Sequence, residues 1–189
     1  MIVNFVTTNK HKFEEAKLAL SQYHIETVQV NMKYEENHDE SMTDIVKQAA
    51  RRMAEEIEQT VVVEDTGLFF TAWPGFPGAL PKFVWQTIGY KGIFKLLEGT
   101  DRGAYFKTVL GRCQPGEEPK LFAAVMRGEI TKKVYDKNRK VMPYDRIFIP
   151  AGEKVTISDM TMEKKNSFSQ RGKVFRKLGR WLVSQKMAN

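Results

Sequence analysis

The sequence predicts an α/β fold built on a mixed sheet. Two observations carry this. Short apolar runs alternate with segments whose apolar residues recur at helical spacing, starting at the first residues. Two longer strand-like runs, 103–113 and 120–131, then flank the turn sequence Gln114-Pro115-Gly116-Glu117, which adds an antiparallel pair to the alternating order.

The elements follow in order. Residues 2–8 read as the first strand and 10–21 as a helix, with Phe13, Ala16 and Leu20 on one face. A strand at 25–31 is followed by a polar segment, 34–41. A helix runs from Thr43, its N-cap, to about Ile57, with Ile45, Val46, Ala49, Ala50, Met53 and Ile57 as its apolar stripe. Val61-Val62-Val63 reads as a buried strand ending at Glu64-Asp65, where Thr66-Gly67 opens a turn. A loop rich in Gly and Pro spans Trp73 to Pro81. A helix from Lys82 to Leu97 carries Phe83, Val84, Ile88, Leu96 and Leu97; Gly89 and Gly92 interrupt it and Gly99 ends it. After the hairpin come a short strand, Arg146 to Pro150, and a last helix starting near Ser169, with Val174, Phe175, Leu178 and Leu182 at helical spacing.

At 189 residues the chain fits one domain, or one domain with two lobes. Apolar content of 42% and charged content of 28% suit a folded core and argue against long disorder. There is no repeat, low-complexity tract or clear linker. No apolar stretch approaches the length of a membrane span. The start, Met1 to Val6, lacks a basic leader and reads as a strand rather than a signal peptide. With Cys113 alone no internal disulfide can form, which fits a reducing, cytoplasmic setting. The formal charge of +7 favours an anionic partner: nucleic acid, acidic lipid or a small polyphosphate. No Lys/Arg block or aromatic-basic interleaving of a nucleic-acid module is present, and a solvated basic surface would account for the charge as well.

Five segments stand out chemically. Glu64-Asp65 places two carboxylates at the mouth of an apolar strand, where burial is costly without a cation. Magnesium suits such an all-oxygen site, needing one or two carboxylates plus phosphate ligands. The acidic stretch Glu35-Glu36-Asn37-His38-Asp39-Glu40 could contribute a second carboxylate, or be an exposed loop. Thr7-Thr8-Asn9-Lys10-His11-Lys12 joins a strand to a helix, a place where open backbone N–H groups meet anions; it is not a Walker A sequence. It could equally be an ordinary helix start with solvated lysines. Glu163 to Arg171 sets Lys165, Ser169 and Arg171 around the start of the last helix, a second anion site or a plain N-cap. The loop Trp73-Pro74-Gly75-Phe76-Pro77-Gly78 could form a rigid aromatic rim or only a structural turn. Two cationic helix starts and one acidic strand end are the layout expected around a metal-bound triphosphate.

The order of motifs resembles the inosine triphosphate pyrophosphatase family over nearly the whole chain. It comprises Phe5-Val6-Thr7-Thr8-Asn9 with Lys12, Glu14 and Glu15; Lys33-Tyr34-Glu35-Glu36; Val63-Glu64-Asp65-Thr66-Gly67-Leu68; Gly75-Phe76-Pro77-Gly78 with Lys82-Phe83-Val84; Tyr144-Asp145 with Ile147-Phe148-Ile149-Pro150; and Glu163-Lys164-Lys165-Asn166 with Ser169 and Arg171. The resemblance implies an elongated mixed sheet flanked by helices, two lobes with a central cleft and one catalytic domain over 1–189. It implies hydrolysis of deaminated purine nucleoside triphosphates (ITP, dITP, XTP) to monophosphate and pyrophosphate, in a homodimer using magnesium, with manganese as the alternative ion. By position, Glu36 and Asp65 would bind metal. Asp65, Glu64 and Lys12 would be catalytic, one of the two carboxylates taking the proton of water. Thr8, Asn9, Lys12, Met142, Tyr144, Asp145, Lys165, Ser169, Gln170 and Arg171 would meet the substrate. This chain departs from the family at Met142-Pro143 (usually Phe-Gly), Arg146 (usually Pro), Gln170 (usually His) and Leu80 (usually Tyr), all expected near the base. Two rivals remain beside this reading: a pyrophosphatase for a pyrimidine or other modified nucleotide, and a non-catalytic nucleotide- or RNA-binding protein, which the basic last helix would suit. All readings require the acidic strand and the two helix starts to converge on one hollow.

Overall fold

The structure is a computed structural model that describes residues 1–34, 41–136 and 138–188. The described residues form strands β1 (Ile2–Val6), β2 (Glu26–Val30), β3 (Val61–Phe70), β4 (Trp73–Gly78), β5 (Gly103–Cys113), β6 (Lys120–Ile130) and β7 (Phe148–Pro150). The helices are α1 (Lys10–Ser21), α2 (Met42–Ile57), α3 (Pro81–Leu96), α4 (Met162–Phe168) and α5 (Gln170–Ala188). Across the sheet the order is β2-β1-β3-β5-β6-β7, with β4 paired to β3 off this path. β1 runs parallel to β2 and β3, and the remaining pairs are antiparallel, so the sheet is mixed as expected. No described helix is long and apolar enough to cross a membrane.

Alternation along β3 assigns the two faces of the sheet. Val62 packs with Phe5, Leu20, Val174, Phe175 and Leu178 beneath α1 and α5. Val61 and Val63 pack with Val46, Ala49, Ala50 and Met53 of α2 on the other side. Successive strand side chains point to opposite faces. Glu64, two residues beyond Val62, therefore points toward α1 and α5, and Asp65 follows Val63 toward the α2 side. A third cluster, including Leu68, Phe70, Phe106, Met126, Phe148 and Ile157, fills the far end of the long strands.

Three expectations need correction. β3 does not turn at Thr66-Gly67; it continues to Phe70, pairing with β5 from Val61↔Cys113 to Phe70↔Ala104. Gly67 marks close backbone approach instead, since a Cβ there would lie 2.6 Å from the Gly78 carbonyl oxygen and 2.9 Å from Met42 Sδ. The Trp73–Pro81 loop contains β4, a short strand on β3 whose register shifts between Phe69 and Phe70. Its prolines suggest a loop, but proline is tolerated on such edges. Finally, α2 is capped by Ser41, not Thr43: Ser41 Oγ accepts the Asp44 N–H at 3.2 Å. The interruption expected in α3 falls at Gly89, whose φ of 60° leaves the helical region. The last helix is preceded by the short helix α4. Residues 143–146 form a 3-10 turn ahead of β7.

Candidate active site

The starts of α1 and α5, the middle of β3 and the 143–146 turn border one cavity of about 560 Å³. The three regions whose convergence every reading required do meet. On its wall stand Thr8, Asn9, Lys12, Asp65, Met142, Tyr144, Asp145, Lys165, Gln170 and Arg171. Glu36 falls outside the described residues.

At the first helix start, Asn9 Oδ1 accepts the N–H groups of His11 (3.0 Å) and Lys12 (3.3 Å) and so caps α1. That cap aims Lys12 across the cavity floor. Lys12 Nζ lies 2.9 Å from Glu64 Oε1. The same oxygen lies 3.4 Å from Arg171 Nη2, and Arg171 Nη1 reaches Glu15 Oε2 at 3.1 Å. Lys165 Nζ then bridges Glu15 Oε1 (2.9 Å) and Asp145 Oδ2 (2.8 Å). Cations and carboxylates thus alternate: Lys12, Glu64, Arg171, Glu15, Lys165, Asp145. Thr66 closes the Glu64 end. Its hydroxyl donates to Glu64 Oε2 at 2.8 Å, accepts from Arg171 Nη2 at 3.1 Å and meets the Thr108 hydroxyl at 2.7 Å.

Burial by itself would raise the Glu64 pKa, but the charges of Arg171 and Lys12, with hydrogen bonds from Lys12 and Thr66, bring it down to about 2. Burial likewise pushes Glu15 up, and Arg171 and Lys165 outweigh it, so its pKa is lowered. Lys165 and Arg171 would be lowered by burial; their carboxylate neighbours raise both instead. All four groups are charged at neutral pH. Glu64 lies fully buried behind the wall and is committed to cations, a setting unlike that of a proton acceptor poised near neutrality. Asp65, 5% exposed, stands on the wall itself.

Ser169 is not a wall residue: fully buried, its Oγ accepts the Gly172 N–H at 3.1 Å and caps α5. Nothing in the sequence sets Glu15 apart from Glu14; only its side of α1 brings it to Lys165 and Arg171. Lys33, Lys82 and Trp85 also border the cavity. Lys33 and Lys82 make no ion pair among the described residues, so they are the cations left for an anion. The exposed basic face of α5 is engaged elsewhere. Lys173 and Lys177 donate to the carbonyls of Val125 (3.3 Å) and Ala123 (2.7 Å) on β6, and Arg176 to those of Asn166 and Ser167, both 2.8 Å.

Among the described residues no three His, Cys, Asp or Glu side chains gather at metal-binding spacing. The wall offers Asp65 with the hydroxyls of Thr7, Thr8 and Thr66 as oxygen donors, its other carboxylate, Asp145, being held by Lys165, and it carries no thiolate or imidazole. That donor set fits a hard divalent cation that draws its other ligands from phosphate and water.

A mixed α/β sheet with a cleft rich in Lys and Arg beside two carboxylates defines a class of protein suited to a small polyanion. The chain belongs to the Ham1 family, whose profile matches residues 3–181. It is 41% identical over 182 residues to a protein from Methanopyrus kandleri named dITP/XTP pyrophosphatase, covering 96% of each chain. It is 37% identical to one of the same name from Pyrococcus horikoshii, covering 96% of this chain and 97% of that one. Among solved structures, a HAM1 protein from Coxiella burnetii shares the fold with a TM-score of 0.81 at 21% identity, over 97% of this chain and 99% of that one.

Proposed function

We propose that this protein hydrolyses deaminated purine nucleoside triphosphates (ITP, dITP, XTP) between the α- and β-phosphates, yielding monophosphate and pyrophosphate and clearing such nucleotides from the pool. The names carried by the relatives support the substrate class. The observation that carries the chemistry is the meeting of Asp65, Lys12, Lys165 and Arg171 on one cavity. The catalytic unit is the single domain 1–189, since its wall draws on residues from Thr7 to Arg171.

Asn9 and Thr8 at the α1 start, with Lys12, hold the phosphates. Lys33 and Lys82 neutralise the tail that becomes pyrophosphate. Asp65 and Glu36 hold a divalent ion, magnesium with manganese as the alternative; when bound it supplies charge neutralisation and a lowered pKa for the attacking water. Asp65 takes the proton of that water. Glu64 keeps Lys12 in place, so that its partly exposed charge faces the oxygens that gain charge in the transition state, while the buried Arg171 fixes Glu64 and Glu15 from behind. Tyr144, Met142 and Gln170 lie where the base would stand, and Ser169 supports them through its cap.

Pyrophosphate release across ITP, dITP, XTP, ATP, GTP and pyrimidine triphosphates, with magnesium, with manganese and with chelator, tests the proposal. Turnover confined to deaminated purines and abolished by chelator is expected. Preference for a pyrimidine would replace the substrate class, and binding without turnover would reject the activity. The RNA-binding alternative drew on the basic last helix, whose Lys173, Arg176 and Lys177 donate to backbone carbonyls instead. The proposal includes a homodimer and, given the lone Cys113, a reducing cytoplasmic setting.

A further inference from the structure

A second cavity, of about 570 Å³, opens between the β6 edge, the turn after β7, α4 and the start of α5, and shares only Met126 with the cleft. β7 pairs with β6 only from Gly128 to Ile130. The chain then turns away: the Ala151 N–H donates to the Arg127 carbonyl at 2.9 Å and the Glu153 N–H to that of Pro150 at 3.0 Å. Gly152 takes the positive φ of this turn, 86°, which a glycine adopts without strain. Its own N–H makes no hydrogen bond among the described residues. Three cations border the cavity. Lys173 uses one of its three ammonium donors on the Val125 carbonyl, at 3.3 Å. Val125 stands two residues, about 7 Å, before Arg127 on the same strand, so both cations lie along one stretch of edge. The Arg127 guanidinium lies over the Tyr105 ring, 5.6 Å from its centroid, and makes no ion pair among the described residues. Lys164 is paired with Glu153 at 2.7 Å and lies 5.6 Å from the Phe168 ring centroid. Arg127, Lys164 and Lys173 against Glu153 leave two positive charges on this wall.

We propose that this cavity is a second ligand site and binds a nucleoside monophosphate, its phosphate held by Arg127, Lys173 and the Gly152 N–H and its nucleoside lying along Val125, Pro150 and Phe168. The charge selects the ligand. A phosphate monoester carries about −1.5 to −2 near neutrality, which the two surplus positive charges match. A triphosphate would bring more negative charge than the wall neutralises. Guanidinium and ammonium groups with a backbone N–H are the donors such an anion takes up. The volume selects further. The cavity is as large as the cleft, about 570 against 560 Å³, and leaves room for the body of a nucleotide beyond its phosphate. Glu153 opposes the anion and holds Lys164 away from it, so it limits the affinity. The site rests on its own residues and not on what the cleft hydrolyses.

The test is a titration of the full chain, labelled with nitrogen-15, with IMP, inosine and inorganic phosphate, following the backbone amide of Gly152. That amide reports this cavity alone, whereas the amides of Lys12 and Arg171 report the cleft. IMP should shift the Gly152 signal saturably, and inosine should leave it in place. Replacing both cations, Arg127→Gln with Lys173→Gln, should weaken the IMP dissociation constant read at Gly152 by about tenfold or more, the scale of lost hydrogen bonds to charged groups. Glu153→Gln should tighten it, because Lys164 is freed and a like charge is gone. Both proteins should keep the wild-type response at Lys12 and Arg171. A Gly152 signal that ignores millimolar IMP while the protein remains folded overturns the proposal, and so does a shift of equal affinity in the double variant. Weaker binding in Glu153→Gln would also overturn it, since the wall would then not be selecting by charge. Equal affinity for inorganic phosphate and IMP would reject the nucleotide as the ligand.

Discussion

Arg171 is the largest side chain in the molecule with under 2% of its surface exposed. A guanidinium so placed is tolerated only when paired on every side, and Glu15, Glu64 and Thr66 do this. The consequence for Glu64 is testable through pH. Its folded-state pKa, about 2, lies below the ordinary 4.5. For a depressed carboxylate the unfolded state binds the proton more readily. The stabilisation is therefore present above pH 4.5 and is lost as pH falls toward 2. Glu64→Gln should melt well below the wild type at pH 7, and the gap should narrow as pH falls through that window. A gap that stays constant would show that the carboxylate charge does not stabilise the fold. Asp65 has the opposite role. Asp65→Asn should reduce turnover at least ~10²-fold, the scale of a general base, while the melting curve shows the variant folded. An unaffected rate would remove Asp65 from the chemistry. Lys12 and Arg171 were legible in the sequence because each stands in the first turn of a helix, Asp65 because it follows an apolar run, and Lys165 because it closely precedes the last helix. Glu15 was not, because its significance lies in which side of α1 faces Arg171, and that depends on how α5 crosses it.

At the level of elements, β3 shows what decides between a strand and a turn. Thr66-Gly67 after two carboxylates is good turn chemistry, and sequence alone favours it. Tertiary pairing overrides it: β5 offers ten residues of partner backbone, and Gly67 is kept small by Gly78 and Met42. Had the strand ended at Asp65, Thr66 could not have joined Glu64, Arg171 and Thr108. Gly67→Ala separates the two readings. In the extended strand its methyl meets the Gly78 carbonyl, so the variant should lose about 1–3 kcal/mol in urea unfolding, as overpacked sites do. An exposed turn would tolerate it. The other strands and the long helices were legible because their periodicity spans several turns or residues. α4 was hidden because its seven residues allow less than two turns of pattern, and its N-cap, Thr161, has no long apolar stripe after it. β4 was hidden because its prolines and glycines imitate a loop.

The whole molecule puts its charge to use unevenly. Of the net +7, the cations deepest in the cleft are neutralised by Glu15, Glu64 and Asp145, and those on the outer face of α5 bind carbonyls along the otherwise open side of β6. Lys173 and Lys177 thus cover a sheet edge, a position where an unpaired strand invites association. Exposed apolar side chains also gather on one part of the surface. Trp73 (42% exposed), Phe76 (38%), Phe83 (60%) and Ile88 (41%) belong to β4 and α3, at the end of the chain's fold that carries Lys82 and Trp85 to the cavity. Exposed aromatic and aliphatic groups on neighbouring elements are the usual core of an association surface. If two copies meet there, the dimer also steadies α3 beside the substrate tail. Light scattering on the purified chain should then give about twice the 21.8 kDa monomer mass. Phe83→Asp, at a site too exposed to matter for the folded monomer, should return it to that mass, and KM for the triphosphate should rise because α3 loses its support. A wild type already monomeric at micromolar concentration would remove the homodimer from the proposal. A Phe83→Asp variant that remains dimeric would place the interface elsewhere.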